Sequence, residues 1–376
     1  MYLLIGADLV PTESNRELFA AGAVQTLLGD ELHSLLQMAE HCIFNLEVPL
    51  TDLETPIKKC GPNLIAPTAA VSEYAAMGTD ILTLANNHIL DQDVQGLVST
   101  CKVLEENHIA YLGVGTTPEE AAEPYLFRFG DKTVGLYACV EHEFSTVTAD
   151  RPGANPFDPL ETPDQVQALK ARCDYVIVLY HGGKEHYRYP SPDLQKTCRK
   201  LVEKGADLVV CQHSHCIGCE EKYRHGHIVY GQGNFLFDHN TSEYWKTSLL
   251  IRLDENFAIS YVPLVKQGNT VRPADIQAAA EIMSRFAERS ELIRDEAAVR
   301  REYERFAADM EQEYLSKLLG ESGLFAKILN RLTGGTYQKR LIRRWFTGKI
   351  RRRIRNYIEC ESHRELMIRI LDLQDV

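Results

Sequence analysis

Short apolar runs recur through residues 1–270, separated by segments of helical character, and this alternation limits the folds open to the chain. The run Tyr175–Tyr180 is apolar or aromatic at every position, as expected for a strand covered on both faces. Helical patterns follow in segments such as Arg16–Leu28 and Asp193–Lys204, and Gly205 would cap the second of these. Strands that alternate with helices predict a layered α/β core over residues 1–270.

The character of the chain changes after residue 270. Residues 271–376 are rich in Ala, Glu, Arg and Leu, and they predict a helical C-terminal extension. Within it, the basic segment 339–358 repeats an apolar residue every four positions: Ile342, Phe346, Ile350, Ile354 and Ile358. On one helix these would form an apolar stripe edged by cations, which is typical of a helix lying on an anionic membrane surface. The alternative is that the stripe packs on the protein.

The charge of the chain bears on its partners. With 376 residues and a formal net charge of −12, the whole protein is not expected to bind nucleic acid nonspecifically. The apolar start, Met1–Gly6, is too short for a signal peptide, and no run reaches the roughly 18 apolar residues of a transmembrane helix. We therefore expect a cytoplasmic protein, with the segment 339–358 as its means of peripheral contact with a membrane.

Ligand-capable side chains follow five of the predicted strands. They are Asp8, Asn45, Glu47, Asn87, His88, Asp91, His181, His213 and His215. One such residue alone is more often a hydrogen-bonded loop residue than a ligand. Binding residues of α/β proteins, however, gather past the carboxyl ends of strands, so five such strand ends in series predict one shared site. The alternation in His213-Ser214-His215 would direct both imidazoles at neighbouring metals.

The residue types in this series point to a divalent metal. Carboxylate, amide oxygen and imidazole are borderline-hard ligands, which select Zn, Mn or Fe over metals that prefer thiolate. One or two such ions would activate a water molecule and neutralise charge on a phosphoryl or similar oxyanion. A histidine beside the metals but not bound to them would protonate the leaving oxygen, and His88 is the candidate for this role.

Five segments of the chain resemble one protein family. They are Asn45–Thr51, Leu84–Asp91, His181–Glu185, Gly205–His215 and Tyr230–Asp238. In order and spacing they are similar to the CapA family, the capsule and poly-γ-glutamate biosynthesis proteins built on the calcineurin-like metallophosphoesterase fold. The resemblance covers about the first 265 residues and leaves the last hundred or so outside it. It implies a layered metallophosphoesterase-like β-sandwich flanked by helices.

The resemblance also implies roles for individual residues. The metal-side residues would be Asp8, Glu47, Asn87, His181, His213 and His215. His88 would be the catalytic acid, with Asp91 orienting it. Glu185 and Asn234 would line the substrate pocket or hold its loops, and Asn45 and His186 complete the predicted pocket.

Two positions depart from the general phosphoesterase pattern. That pattern begins Asp-x-His, whereas Asp8-Leu9-Val10 has no histidine. Its second motif supplies a bridging aspartate, whereas this chain has Glu47. These changes leave one metal with fewer ligands, so the predicted centre holds one or two ions.

Two functions remain open at this stage. The resemblance implies a metal-dependent hydrolase or transferase in capsule, poly-γ-glutamate or cell-envelope polymer biosynthesis, acting on an anionic polymer or a phosphoester, with other capsule-synthesis proteins as candidate partners. The alternative is a non-catalytic component of a polymer synthesis or export complex. Four imidazoles aimed at one cleft favour the enzyme, because a scaffold has no need of them. The missing first-motif histidine favours the alternative.

Overall fold

The computed structural model describes residues 1–12, 14–237, 242–320 and 324–373. Asp238, the last residue of the fifth family-like segment, lies outside them. The strands are β1 (Tyr2–Leu9), β2 (His41–Leu46), β3 (Ile81–Thr83), β4 (Ala110–Leu112), β5 (Val114–Gly115), β6 (Tyr125–Phe129), β7 (Lys132–Val140), β8 (Gly153–Ala154), β9 (Tyr175–His181), β10 (Leu208–Gln212), β11 (Glu220–Tyr223), β12 (Gly226–Tyr230), β13 (Asn234–Leu236), β14 (Thr247–Asp254), β15 (Ile259–Gln267) and β16 (Thr270–Pro273).

Most of these strands form two sheets. The first has the order β16-β15-β14-β1-β2-β3-β4, with β13 paired to β1. The second has the order β11-β12-β10-β9-β7-β6, and β5 pairs separately with β8. The neighbours β1, β2, β3 and β4 run parallel, as do β7, β9, β10 and β12. The carboxyl ends of the parallel strands therefore lie at one edge of each sheet.

The α-helices are numbered in chain order. They are α1 (Arg16–Ala20), α2 (Val24–Gln37), α3 (Val71–Met77), α4 (Asp93–Glu106), α5 (Pro118–Ala121), α6 (Thr162–Lys170), α7 (Pro192–Glu203), α8 (Ile276–Leu292), α9 (Glu296–Leu318), α10 (Leu324–Leu332), α11 (Thr336–Trp345), α12 (Gly348–Glu359) and α13 (Glu361–Asp372).

Three apolar clusters define the layers. Between the sheets, Ile5 and Ile43 of the first pack with Ile177 and Val210 of the second. The other face of the first sheet packs with α1 to α4, and the other face of the second packs with α6 and α7. The order is helix, sheet, sheet, helix, which confirms the predicted layered α/β sandwich. Buried runs such as Tyr175–Tyr180 are apolar throughout because β9 is covered on both faces.

The predicted helix Arg16–Leu28 is wrong as a single element. The chain forms α1 and α2 instead, and Gly22 between them has a φ of +69°. Gly29, inside α2, also departs from helical geometry, with a φ of +72° and a ψ of 162°. Glycine adopts these left-handed values without steric penalty, so the apolar periodicity continues across two breaks that interrupt the backbone.

The contacts divide the chain into two compact units, Met1–Arg300 and Arg301–Val376. The first unit extends past residue 270 because α8 packs on the core. Phe286 of this helix is 1% exposed and lies with Ile217 and Leu249. The division by contacts therefore falls thirty residues beyond the boundary expected from composition.

The second unit is helical, and the side chain of Gln338 links its helices. Its Oε1 atom accepts hydrogen bonds from Gln312 at 3.1 Å and Asn330 at 2.7 Å, while α12 packs along α13. The basic segment 339–358 is not one helix, because α11 ends at Trp345 and α12 begins at Gly348. Ile342 and Phe346 are 6% exposed, so the first part of the predicted apolar stripe is buried. None of the described helices has the length and hydropathy to cross a membrane.

Candidate metal centre

The predicted site residues meet where strand ends of both sheets converge. Asp8 lies near the end of β1, Glu47 directly follows β2, and His181 is the last residue of β9. His213 directly follows β10. A register shift between Ile5 and Asp8 in the pairing of β1 with β2 marks an irregularity just before the site. The parallel topology therefore brings distant segments to a common point, as the strand-end argument predicted.

The first ligand group surrounds the Nε2 atom of His181. This atom lies 3.0 Å from Asn87 Oδ1, 3.2 Å from His213 Nδ1 and 3.3 Å from Glu47 Oε1. Metal–ligand bonds of about 2.1 Å place neighbouring ligand atoms about 3.0–3.4 Å apart in octahedral to tetrahedral geometry. The spacing around His181 fits that range. These four side chains therefore match the donor set and the separation of a divalent metal site.

A second group shares Glu47 with the first. Asp8, Glu47 and His215 offer ligand atoms within 4.8 Å of one another, and so do Glu185, His213 and His215. His215 Nδ1 lies 3.6 Å from Asp8 Oδ2. Glu47, His213 and His215 each belong to two groups, so the groups overlap, and Glu47 has the two carboxylate oxygens that a residue shared by neighbouring metals would use. The donors are sufficient for one ion and suit a second.

The buried carboxylates provide an independent test of this fit. Both oxygens of Glu47 and the Oδ2 atom of Asp8 are buried without a hydrogen-bond partner among the described residues. Burial and the neighbouring charge of Asp8 raise the pKa of Glu47 to about 8. A buried anion without partners is costly, and a cation at this point would satisfy it. The residues present fit a divalent metal.

Asp8 behaves differently from Glu47. Burial raises the pKa of Asp8, but the contact with His215, the charge of His181 and a hydrogen bond from Asn45 outweigh it and leave the pKa below its usual value. Burial lowers the pKa of His215, but the contact with Asp8, the charge of Glu47 and the hydrogen bond with Asn234 outweigh it and raise the pKa to about 9. Asp8 and His215 therefore form an ion pair when no metal is bound.

His181 and His213 favour the neutral form that binds metals. Burial lowers the pKa of His181 to about 4. Burial, together with the charges of His181 and His215, lowers the pKa of His213 well below its usual value. A neutral imidazole keeps the lone pair that a metal needs. Both rings can therefore serve as ligands without first losing a proton.

His88 lies at the edge of the group and does not belong to it. Its Nδ1 atom is 2.6 Å from Asp91 Oδ2, and its Nε2 atom is 4.0 Å from Glu47 Oε1. An ionised carboxylate only accepts hydrogen bonds, so Nδ1 donates to Asp91. This contact fixes the ring and leaves Nε2 facing the metal-side residues, as expected for a proton donor oriented by Asp91.

Lys59 was missed by the sequence reasoning. Its Nζ atom is hydrogen-bonded to Asp91, and its side chain is 2% exposed. The backbone N–H of Leu64 also donates to Asp91, at 2.6 Å. The carboxylate that orients His88 is therefore itself held by a buried cation and a loop. Nothing in the local pattern around Lys59 signals this role, because the contact spans 32 residues along the chain.

Two residues of the predicted pocket contact metal-side residues. Asn45 and Asn234 are both 0% exposed. Asn45 donates to Asp8 at 2.8 Å, while the Oδ1 atom of Asn234 accepts a hydrogen bond from His215 Nδ1 at 2.9 Å. Both amides therefore hold metal-side residues in place, which fits the alternative that Asn234 fixes its loop.

Aromatic rings border the centre on one side. Trp245 donates from Nε1 to His186 Nε2 at 2.9 Å, and its ring lies 5.0 Å from that of His215. Tyr244 stacks on His186 with ring centroids 5.3 Å apart. His186 and Glu185 remain partly exposed, so they can reach a substrate. The two aromatic residues were not foreseen, because they follow the family-like segments.

Three histidines of the site have left-handed backbones. The φ angles are 58° at His186, 82° at His213 and 54° at His215. Positive φ is uncommon outside glycine, and the strain is tolerated where the surrounding structure enforces it. In His213-Ser214-His215, both imidazoles project from strained positions that flank one residue.

Comparison with known proteins identifies the family. The family model described as "Bacterial capsule synthesis protein PGA_cap" matches residues 8–239, more than half of the chain. The chain belongs to this family. The match begins at Asp8 and spans all the other metal-side residues.

Named relatives agree with this assignment. The capsule biosynthesis protein CapA of Bacillus anthracis is 26% identical over 220 residues, covering 56% of this chain and 54% of the relative. The PGA biosynthesis protein CapA of Bacillus subtilis is 28% identical over 165 residues, covering 43% of each. The chain thus spans about half the length of the curated relatives it matches.

A crystal structure described as a novel phosphatase of Mycoplasma pneumoniae is 13% identical and covers 71% of this chain and 94% of its own. Its TM-score with this chain is 0.44.

Proposed function

We propose that this protein is a metal-dependent hydrolase of the calcineurin-like metallophosphoesterase type, acting in capsule, poly-γ-glutamate or cell-envelope polymer biosynthesis. Its substrate is a phosphoester or amide bond in an anionic polymer or its precursor. Family membership and the capsule-related names of the relatives support the biological setting. Other proteins of capsule synthesis are the expected partners.

One observation carries the enzymatic part of the proposal. Asp8, Glu47, His181, His213 and His215 come from separate segments, yet their ligand atoms gather within 4.8 Å in overlapping groups. A protein that serves only as a scaffold gains nothing from three buried imidazoles facing two buried carboxylates. A divalent ion held there would polarise the scissile bond and lower the pKa of a water molecule.

The remaining residues act on the substrate or on the ligands. His88 donates its Nε2 proton to the leaving oxygen or nitrogen, because Asp91 holds its other ring nitrogen. Asn45 and Asn234 keep Asp8 and His215 in place. His186 and Glu185, both partly exposed, face the entering substrate.

Metal analysis combined with turnover tests the proposal. Protein purified without chelator is expected to contain one or two equivalents of Mn, Fe or Zn and to hydrolyse a chromogenic phosphodiester. His181→Ala should lower both the metal content and the turnover, because the first ligand group converges on this ring.

His225→Gln is the matched control for that variant. His225 is exposed and lies outside the ligand groups, so both metal content and turnover should stay at the wild-type level. If the wild-type protein contains no metal and His181→Ala changes nothing, the non-catalytic alternative stands instead.

We also propose that the second unit contacts anionic membranes. Burial of Ile342 removes part of the stripe predicted in 339–358, but Ile358 of α12 is 57% exposed. On α13, Leu366 is 58% and Leu371 is 65% exposed. The cations of 351–355 lie on α12. Apolar side chains beside clustered arginines favour an anionic lipid surface.

Liposome flotation tests this contact. Salt-sensitive flotation with anionic vesicles, lost in Leu366→Glu/Leu371→Glu, is the expected result. Equal flotation of this variant and the wild type would contradict it, and zwitterionic vesicles serve as the control.

A further inference from the structure

A cavity of about 300 Å³ in the first unit has a charged lining that differs from the protein as a whole. Its charged residues are Arg188, Lys246, Arg285, Arg289, Glu243 and Glu281. The lining thus has four cations and two carboxylates, in a chain whose formal net charge is −12. Its volume is at the lower end of the range for pockets that bind small ligands, about 300–1,000 Å³.

The cavity adjoins the metal centre because three chain segments contribute to both. Each segment supplies a pair of residues at most two positions apart. The first of each pair lies in the centre or on its aromatic border, and the second lines the cavity: His186 and Arg188, His215 and Ile217, Trp245 and Lys246. Two residues of extended chain span at most about 7 Å. The backbone of the cavity wall therefore lies within about 7 Å of the backbone at the border of the centre.

Two of the four cations of the cavity are paired with its carboxylates, Arg188 with Glu243 at 3.3 Å and Arg285 with Glu281 at 2.6 Å. Arg289 donates from Nε to Gly218 O at 2.6 Å, and among the described residues no carboxylate lies within ion-pair distance of it or of Lys246. These two cations therefore retain capacity for an anion. Burial, with a smaller contribution from the charge of Arg188, lowers the pKa of Arg289.

We propose that this cavity binds a second ionised group of the substrate, a carboxylate or a phosphate, while the reacting bond lies at the metal centre. The identity of the ligand as substrate rests on the proposed function. Guanidinium groups bind both anions through paired N–H donors. Ile217 and Ile282 add apolar lining for the part of the polymer between its charges.

Direct binding to the full-length protein tests this assignment. Trp245 contacts His215 and precedes the cavity residue Lys246 in the chain, and it reports by fluorescence once the other tryptophan is removed by Trp345→Phe. The probes are a tetraglutamate peptide for the carboxylate and tripolyphosphate for the phosphate. Each charge-assisted hydrogen bond contributes about 1.5–3 kcal/mol. Since about 1.4 kcal/mol corresponds to tenfold in affinity, Lys246→Gln/Arg285→Gln should raise the Kd of the bound probe at least tenfold.

Two controls separate this site from general charge effects. Lys102→Gln/Lys222→Gln removes the same charge from exposed positions that do not line the cavity and should leave the Kd within about twofold. Glu281→Gln removes a carboxylate that pairs with Arg285 at 2.6 Å and should lower the Kd. An unchanged Kd in Lys246→Gln/Arg285→Gln, or the same increase in the distant double variant, would overturn the assignment.

The same titration in His213→Ala keeps the two proposals apart. If the cavity binds the probe, affinity persists there and still depends on Lys246 and Arg285, even when turnover is absent in every variant. Affinity that disappears in His213→Ala and ignores the two cations would instead place the anion at the metal centre alone, and the cavity would have no part in binding.

Discussion

Replacing Glu47 by glutamine should stabilise the metal-free protein at neutral pH. The carboxylate is 0% exposed, neither oxygen has a hydrogen-bond partner among the described residues, and its pKa is raised to about 8 from an ordinary 4.5. At pH 7 the unfolded chain has Glu47 ionised, whereas the folded metal-free protein must take up a proton. With about 1.4 kcal/mol per pH unit between pH 4.5 and 7, this costs about 3 kcal/mol.

The sign of the pH dependence follows from the raised pKa. The stability of the metal-free wild type is greatest, as far as Glu47 is concerned, below pH 4.5 and falls as the pH rises toward about 8. Glutamine has no such titration. The free energy of unfolding of metal-free Glu47→Gln should therefore exceed that of the metal-free wild type by on the order of 3 kcal/mol at pH 7 and by less than about 1 kcal/mol at pH 5.

Urea denaturation of chelator-treated protein measures this difference. In a Trp345→Phe background the remaining tryptophan, Trp245, reports on the unit that contains the site. Metal at a hundred times its Kd should then stabilise the wild type by about 2.7 kcal/mol and Glu47→Gln much less. Asp8→Asn is the control of opposite sign, because the pKa of Asp8 is lowered and its charge stabilises the fold at pH 7. A loss of stability in Glu47→Gln that is equal at pH 5 and pH 7 would refute the reasoning.

Three further changes test other parts of the site. His88→Gln should lower kcat by about 10²–10⁴, because the Nε2 atom of His88 supplies a proton. Metal content should stay unchanged, because this atom lies 4.0 Å from Glu47 Oε1 and outside the ligand groups. A loss of metal in this variant would instead make His88 a ligand. Asp91→Asn should lower the free energy of unfolding by about 3–5 kcal/mol in urea denaturation, because Lys59 is left buried without its anion. Adding Lys59→Met to this variant should restore part of the lost stability. No recovery in the double variant would contradict the pairing of Lys59 with Asp91. Gly218→Ala should lower the Tm by several degrees or prevent folding, because a Cβ there would lie 1.6 Å from Tyr230 O. Gly268→Ala is the control: its Cβ would lie in open space, and its φ of 61° should cost only about 1 kcal/mol of stability. Equal effects of the two changes would contradict the steric clash at Gly218.

Sequence reasoning located the metal-side residues because parallel strands fix where their ends meet. β1 and β2 are parallel neighbours in the first sheet, and β9 and β10 are parallel neighbours in the second, so the residues that follow them lie at one edge of each sheet. Lys59 could not be found in this way, because it lies in an irregular loop and contacts a residue far along the chain. The burial of Asn45 and Asn234 could not be predicted from the sequence either, since a motif does not reveal which of its polar side chains face inward. The break of 339–358 at Phe346 depends on backbone angles that apolar periodicity does not report.

The strain of the site argues that its imidazoles are kept for their chemistry. Left-handed backbone costs about 1–2 kcal/mol for each of His186, His213 and His215, a cost that glycine would avoid. Together with the cost of about 3 kcal/mol for burying Glu47, the total is about 6–9 kcal/mol, which is comparable with the whole stability of a typical domain, about 5–15 kcal/mol. Glycine at these three positions would recover the backbone term but remove every ring. Histidine therefore makes physical sense at 213 and 215 only if the rings do something that outweighs the lost stability, and the ligand groups they form with the buried carboxylates of Asp8 and Glu47 provide it.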